Sequence, residues 1–411
     1  MPMTQTDNFI AILRAACGNG RLEIRDPDWA ELARLAQIHT LTAIFYVGAQ
    51  QYPVFAACPA GLRAKLQAET ITVVGRQAQR TQLFLQLYRA LLGAGLQPLV
   101  LKGIVCRQLY GELADYRPSC DEDLYIPPAD LPRCRAVLEQ NGWQLTSHEA
   151  SMEVADHLQE IAFDDPGHLL HIELHPSLFG QEQPGRKQAS AYFRGIEQRA
   201  AAIEVGGQTL YTLGATDHYI YLFLHLAKHL AGGGVGIRQI IDLMQFEKAC
   251  GAQINWPQVA KAVRRLSAPG LYGDVTELGR RLGFAPKALF DPVQPDRLLA
   301  DSLEGGVYGH DREGHGRGSI VTLAAQYSTR LGRLRRLLFP SVQQLLAGRP
   351  WLEKRPWLLP VAWVQRAGRL VVNGRYSRVT GKSLRAAYRR LDFLRGYGLV
   401  MGGENNKKGR G

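Results

Sequence analysis

Residues 98–126, PLVLKGIVCRQLYGELADYRPSCDEDLYI, mark the point where the chain changes period. Everything before Gly95 reads as helix. Phe9, Leu13 and Ala16 recur at helical spacing, Asp28 caps the run WAELARLAQI, and from Leu62 to Leu92 the apolar positions Phe84, Leu87 and Leu91 lie on one stripe that Gly93 and Gly95 close. Pro98–Leu101 is then a short apolar run and Asp121–Ile126 alternates as a strand does, with a helix predicted after Gly103. At period two, Asp121 and Asp123 share one face while Glu122 and Leu124 share the other. Two adjacent carboxylates repel, which costs stability unless a cation lies between them. Hard oxygen donors of this kind suit Mg2+ or Mn2+ rather than zinc.

Working outward, residues 160–163 (EIAF) and 169–174 (LLHIEL) flank the turn Asp164–Gly167 as a hairpin, and a helix from Ala129 to Asn141 leads into another strand at WQLT. Along His168–His175, Leu170, Ile172 and Leu174 form the buried side, so Leu169, His171, Glu173 and His175 share the polar face. Three carboxylates from two strands, the third arriving about 50 residues after the pair, are the layout that holds two divalent ions around a nucleoside triphosphate. Lys102 and Gly103 follow an apolar strand and open a helix, where backbone N–H groups and a cation can meet phosphate oxygens. His171, Glu173 and His175 also suit zinc, but zinc would leave the aspartate pair unexplained. His225 and His229, one helical turn apart, could bind a metal but read first as a helix face lining a cleft or hydrogen-bonded in the core, and Arg238 with Asp242 as a helical ion pair.

The remainder is a β-like piece at Ala202–Thr212 followed by helices at Asp217–Leu230, Arg238–Cys250, Trp256–Leu266 and Leu271–Leu282, with Gly232–Gly234 as a flexible link. The organisation expected is a helical region at 1–95, an α/β core at 96–213, a helical domain at 214–309 and a basic segment rich in Trp and Arg at 310–411. That segment starts with a linker at 310–318 and finishes in a disordered end.

A chain of 411 residues, 46% hydrophobic and 21% charged, has enough apolar surface for two or three cores, which excludes disordered, collagenous and disulfide-scaffold classes. No apolar run reaches the roughly 18 residues of a membrane-spanning helix and the N-terminus lacks a signal-peptide pattern, so the cytoplasm is the expected compartment. Six cysteines without a CxxC pair point to reduced, mostly buried thiols. Charge is uneven: Met1–Asp311 carries a net −5 and Arg312–Gly411 a net +17. A positive segment of that density fits an anionic partner, whether nucleic acid, a membrane surface or an acidic protein, or else a solvated basic tail. Its amphipathic stretches either lie on a membrane surface or pack on the helical part.

LKG at 101–103, Arg117 ahead of DEDL at 121–124, IELH at 172–175, HLAKH at 225–229 and RQIIDL at 238–243 resemble the uncharacterised bacterial nucleotidyltransferase family of the DNA polymerase β superfamily, over residues 83–250. The resemblance implies an α+β fold: a palm-like mixed sheet with flanking helices, plus helical N-terminal and C-terminal parts. It also implies transfer of a nucleoside monophosphate from NTP to an acceptor hydroxyl, with release of pyrophosphate. On the matching positions, Asp121 and Asp123 are the paired ligands for Mg2+ or Mn2+, Glu173 is the third acidic residue, and Gly103 is the glycine at the start of the phosphate-facing helix. His175, His225, His229 and Arg238 are then candidates for the substrate side. The chain departs from the superfamily pattern in having Ile104 where a serine or glycine follows Gly103, and 17 residues between Gly103 and Asp121. Lys102 and Arg117 are expected to supply the missing phosphate contacts. The alternative is a catalytically degenerate nucleotide-binding or interaction module that docks through its basic segment.

Overall fold

The computed structural model describes residues 4–146, 161–179, 186–232, 234–265, 268–305, 352, 355–372, 390 and 392–399. Two units are present: one comprises Met1–Ala227 with Val235–Tyr308, the other Lys228–Gly234 with Gly309–Gly411. The first begins with α1 (Gln5–Ala16), α2 (Trp29–Ile38) and α3 (Thr42–Ala49). Thr4 and Asp7 close a reciprocal capping box on α1, and the Asp28 carboxylate accepts from the Ala30 and Glu31 amides at the start of α2. Phe9, Leu13, Leu32, Ile44 and Phe45 are wholly buried among these helices.

α4 (Ala60–Gly93) has 34 residues and so extends about 50 Å. Its length lets it serve two cores. Leu66 and Thr70 are buried towards its start, whereas Phe84, Leu87, Tyr88 and Leu91 near its end enter the core beneath the sheet. Between them Gln77 and Arg80 reach the loops that precede the site-bearing strands. Gln77 Nε2 donates to the Ser119 carbonyl at 2.9 Å, and Arg80 donates to the Ser119 carbonyl at 2.5 Å and the Leu169 carbonyl at 2.7 Å.

The sheet is built from β1 (Leu99–Val100), β2 (Asp121–Tyr125), β3 (Gln144–Leu145), β4 (Ile161–Asp164), β5 (His171–His175), β6 (Ala200–Val205) and β7 (Gln208–Leu213), in the spatial order β3-β4-β5-β2-β1-β7-β6. β2 pairs parallel with β5 and antiparallel with β1, and β1 pairs parallel with β7, so the sheet is mixed, as an α+β palm requires. Between the strands lie α5 (Ile104–Gln108), α6 (Leu131–Gln140) and α7 (Arg186–Tyr192). Leu124, Ile172 and Leu174 join residues of α4 and α6 (Leu131, Cys134, Leu138) in one core, which leaves the odd-numbered positions of β2 and β5 on the opposite face. β5 is shorter than the sequence suggests: His168 has a φ of +51° and belongs to the preceding turn, where the Asp165 carboxylate accepts from the amides of Gly167, Leu169 and Leu170.

α8 (Ala215–Gly232), α9 (Ile237–Cys250), α10 (Trp256–Arg265), α11 (Pro269–Arg281) and α12 (Pro295–Gly305) follow. α8 is fastened to the sheet by the buried His218, whose Nε2 donates to the Leu101 carbonyl at 2.6 Å. In the second unit α13 (Leu359–Val372) buries Ala362 with Leu352, while Phe393 and Tyr397 stack edge to face. The linker at 310–318, the run at 331–339 and the terminal residues 402–411 lie outside the described residues. Among the described residues no helix is long and apolar enough to cross a membrane, and all six cysteines are free thiols, four of them buried.

Candidate active site

Parallel pairing of β2 with β5 sets the site. Its register places Asp123 opposite Glu173, Asp121 opposite His171 and Tyr125 opposite His175. All six stand on the face away from the α4–α6 core, because a strand's side chains alternate and Leu124, Ile172 and Leu174 point into that core. Asp123, Glu173 and His175 each offer a ligand atom, and the three atoms lie within 4.8 Å of one another.

Asp123 is 1% exposed and divides its two oxygens between two cations. Oδ1 lies 2.9 Å from His175 Nε2 and Oδ2 lies 3.0 Å from Lys102 Nζ. Burial opposes the charge on Asp123, but the Lys102 ammonium and the His175 ring outweigh it and hold the carboxyl far below the usual carboxylate range. Burial also works against a charged His175; hydrogen bonds to Asp123 and Glu173 prevail and raise its pKa to about 9. For Lys102 the sequence of effects is the same, desolvation being reversed by Asp123 and Asp121, so its ammonium stays charged. Lys102 Nζ also lies 3.7 Å from Asp121 Oδ2, and so stands between the two aspartates.

A divalent ion fits these residues. Two carboxylates with one imidazole, their ligand atoms within 4.8 Å of one another, are a donor set that such ions accept. The three donors that lie closest together are not the whole of the expected trio. His175 lies beside Asp123 and Glu173, and Asp121, with its side chain 40% exposed, stands at the next position of β2 on the same face. His171, which the zinc alternative needs, is outside this group of three, its Nδ1 lying 2.6 Å from Asp164 Oδ1 and its Nε2 4.0 Å from Glu173 Oε1.

Three sequence expectations are corrected by burial. Arg117 does not face phosphate. Its guanidinium is buried and forks onto Asp242 of α9, Nε to Oδ1 at 3.0 Å and Nη2 to Oδ2 at 2.6 Å, while Tyr110 donates its hydroxyl to the same Oδ1 at 2.7 Å. Asp242 is therefore the partner of Arg117 rather than of Arg238, and Arg238 donates to the Pro118 carbonyl at 2.8 Å. Gly103 opens α5 as expected, but the anion at that helix start is the chain's own Glu122. Glu122 Oε2 accepts from the Ile104 amide at 2.7 Å, and a Cβ on Gly103, at a φ of +60°, would collide with that carboxylate. Burial raises the Glu122 pKa to about 7, against the pull of Arg107, whose Nη2 lies 3.5 Å away.

α8 contributes a residue that sequence reasoning missed. Tyr221 is buried, and its hydroxyl is pushed well above its ordinary pKa by burial and by the charge of Asp123. His225, four residues on, is half-buried, packs 5.8 Å ring to ring against Tyr221 and favours the charged form of Asp123. That i, i+4 spacing beside the flagged histidine was the available signal. His229 belongs to the segment Lys228–Gly234 of the second unit.

No curated protein and no solved structure is significantly similar to the chain. The family model described as uncharacterised nucleotidyltransferase matches residues 25–279, which contain the whole sheet, the Asp123–Glu173–His175 cluster and α8 to α10. With more than half of its length matched, the chain belongs to this uncharacterised nucleotidyltransferase family.

Proposed function

We propose that the protein is a metal-dependent nucleotidyltransferase that transfers a nucleoside monophosphate from NTP to an acceptor hydroxyl and releases pyrophosphate. The observation that carries this is the register of β2 on β5, which sets Asp123 beside Glu173 with Asp121 on the same face. Asp123, Glu173 and His175, the last as the neutral imidazole once the ion displaces its proton, would hold the ion, and the imidazole in that set favours Mn2+ over Mg2+. When bound, such an ion supplies Lewis-acid charge to phosphate oxygens and makes a hydroxyl easier to deprotonate.

The chain's own residues do the rest. Asp121, the more exposed aspartate, is free to take a proton from, or orient, an acceptor hydroxyl. Lys102 holds the desolvated Asp123 ionised and stands between it and Asp121, offsetting their repulsion. Tyr221 and His225 wall the site on the α8 side.

The test is release of pyrophosphate from each NTP with Mg2+ or Mn2+, run beside titration of nucleotide binding to the wild type and to an Asp121→Ala, Asp123→Ala variant. Metal-dependent binding of a nucleotide, lost in the variant, supports the transferase. A second reading, nucleotide binding without turnover, is favoured by one feature: the Ile104 amide, which would face phosphate, is taken by Glu122. Binding without pyrophosphate release would select it.

A further inference from the structure

The mixed charges around Asp123 raise a question of stoichiometry. A two-ion site for phosphoryl transfer places both ions against shared carboxylates, close enough to repel strongly were the negative charge not sufficient. Here the carboxylates on the site face are Asp121, Asp123 and Glu173, and one of the two oxygens of Asp123 already faces a fixed cation.

Lys102 is not a long side chain that has wandered to the surface. The residue before it is tied into the sheet, the Leu101 amide donating to the Asp123 carbonyl at 2.9 Å, and the residue after it is Gly103, fixed by the Glu122 contact beneath. Its own carbonyl accepts from the Val105 amide at 3.2 Å. The side chain, 19% exposed, runs from this anchored backbone to the gap between the aspartates, with Nζ 3.0 Å from Asp123 Oδ2 and 3.7 Å from Asp121 Oδ2. A buried oxygen that lacks a hydrogen bond is thereby matched to a point charge, which is what an ammonium supplies and a guanidinium fork supplies less compactly.

We propose that Lys102 is a built-in counter-ion that occupies the place of a second divalent ion, so that the site takes a single divalent ion, on the Asp123 Oδ1, Glu173 and His175 side. The proposal rests on the nucleotidyltransferase reading. With His175 bound to the ion as the neutral imidazole, three carboxylates, one ammonium and one divalent ion balance in charge, whereas a second ion within a few ångströms of the ammonium would meet a like charge in a desolvated site. Removing the ammonium while keeping the carboxylates should therefore open the second place.

The experiment counts ions. Mn2+ bound by the full chain is measured from the loss of free Mn2+ signal in electron paramagnetic resonance, with and without a non-hydrolysable NTP analogue, for the wild type, Lys102→Met and Lys102→Arg. One Mn2+ per chain in the wild type and in Lys102→Arg, rising to two in Lys102→Met with the nucleotide analogue, is the result expected. Two Mn2+ in the wild type would overturn the assignment of Lys102 and leave the transferase reading standing. One Mn2+ in Lys102→Met would also overturn it. No Mn2+ and no nucleotide binding in the wild type would remove the transferase reading and the proposal together. If Lys102→Met fails to fold, the wild-type count and Lys102→Arg still decide.

Discussion

Arg117 and Asp242, 125 residues apart, form a buried two-point ion pair that ties the loop before β2 to α9. Both side chains are under a tenth exposed, and Tyr110 completes the set of donors to the carboxylate. Desolvation opposes each charge, yet the pair keeps Asp242 below and Arg117 above their ordinary pKa ranges. The arginine that sequence proximity assigns to the nucleotide instead aims the strand that carries the aspartates.

Truncating one member leaves the other charge buried and unpaired, so Arg117→Ala should lower unfolding stability by about 3–5 kcal/mol in urea titration. Asp242→Ala should cost a similar amount, and the double variant clearly less than the sum. Retained stability with lost nucleotide affinity in Arg117→Ala would return Arg117 to the phosphate.

Gly103→Ala should destabilise by about 1–3 kcal/mol through backbone strain alone, and by more because the Cβ displaces Glu122 from the Ile104 amide. Thermal unfolding measures it. A neutral effect would mean that α5 does not start against Glu122.

His218 makes stability depend on pH. Burial lowers its pKa to about 4, so the unfolded chain, with an ordinary histidine near 6.5, binds more protons between those values. The contribution is fully present above about 6.5 and is lost as pH falls through about 4, reaching about 3 kcal/mol. His39, also held at about 4 by burial, adds with the same sign. Urea midpoints across this interval should fall less steeply for His218→Gln than for the wild type.

Asp123→Asn and His175→Ala should weaken Mn2+ binding by more than the roughly 10–100-fold that loss of an outer-shell partner costs, since both side chains belong to the ligand cluster. Asp121→Asn should stay within that range while reducing turnover by orders of magnitude. Equal loss of Mn2+ affinity in Asp121→Asn and Asp123→Asn would restore the aspartate pair as the ligands.

Much of this was legible in the residues themselves. Period two over Asp121–Tyr125 and His171–His175 fixed which side chains share a face, and the helix punctuation of Asp28, Gly93 and Gly142 fell close to the observed ends. The acidic face follows from such local patterns, and the α+β fold was what the family resemblance implied. The partners of Arg117, Glu122 and Asp242 were not legible, because each is chosen by a residue on another element. Glu122 gave a hint: a carboxylate on the core side of a strand must find a buried donor, and it found the Ile104 amide and Arg107.

Sequence alone determined most of the helices and the polar face of β2 and β5, since these rest on the spacing of neighbours along the chain. The single β-like piece expected at Ala202–Thr212 is the antiparallel pair β6 and β7. Only the tertiary structure decided that β5 lies parallel to β2 with Glu173 opposite Asp123, that His175 joins them, and that Lys102 rather than Arg117 reaches the aspartates. The reason is that burial selects among charged groups by whether a counter-charge lies within a few ångströms, and that distance is set by packing between elements far apart in the chain.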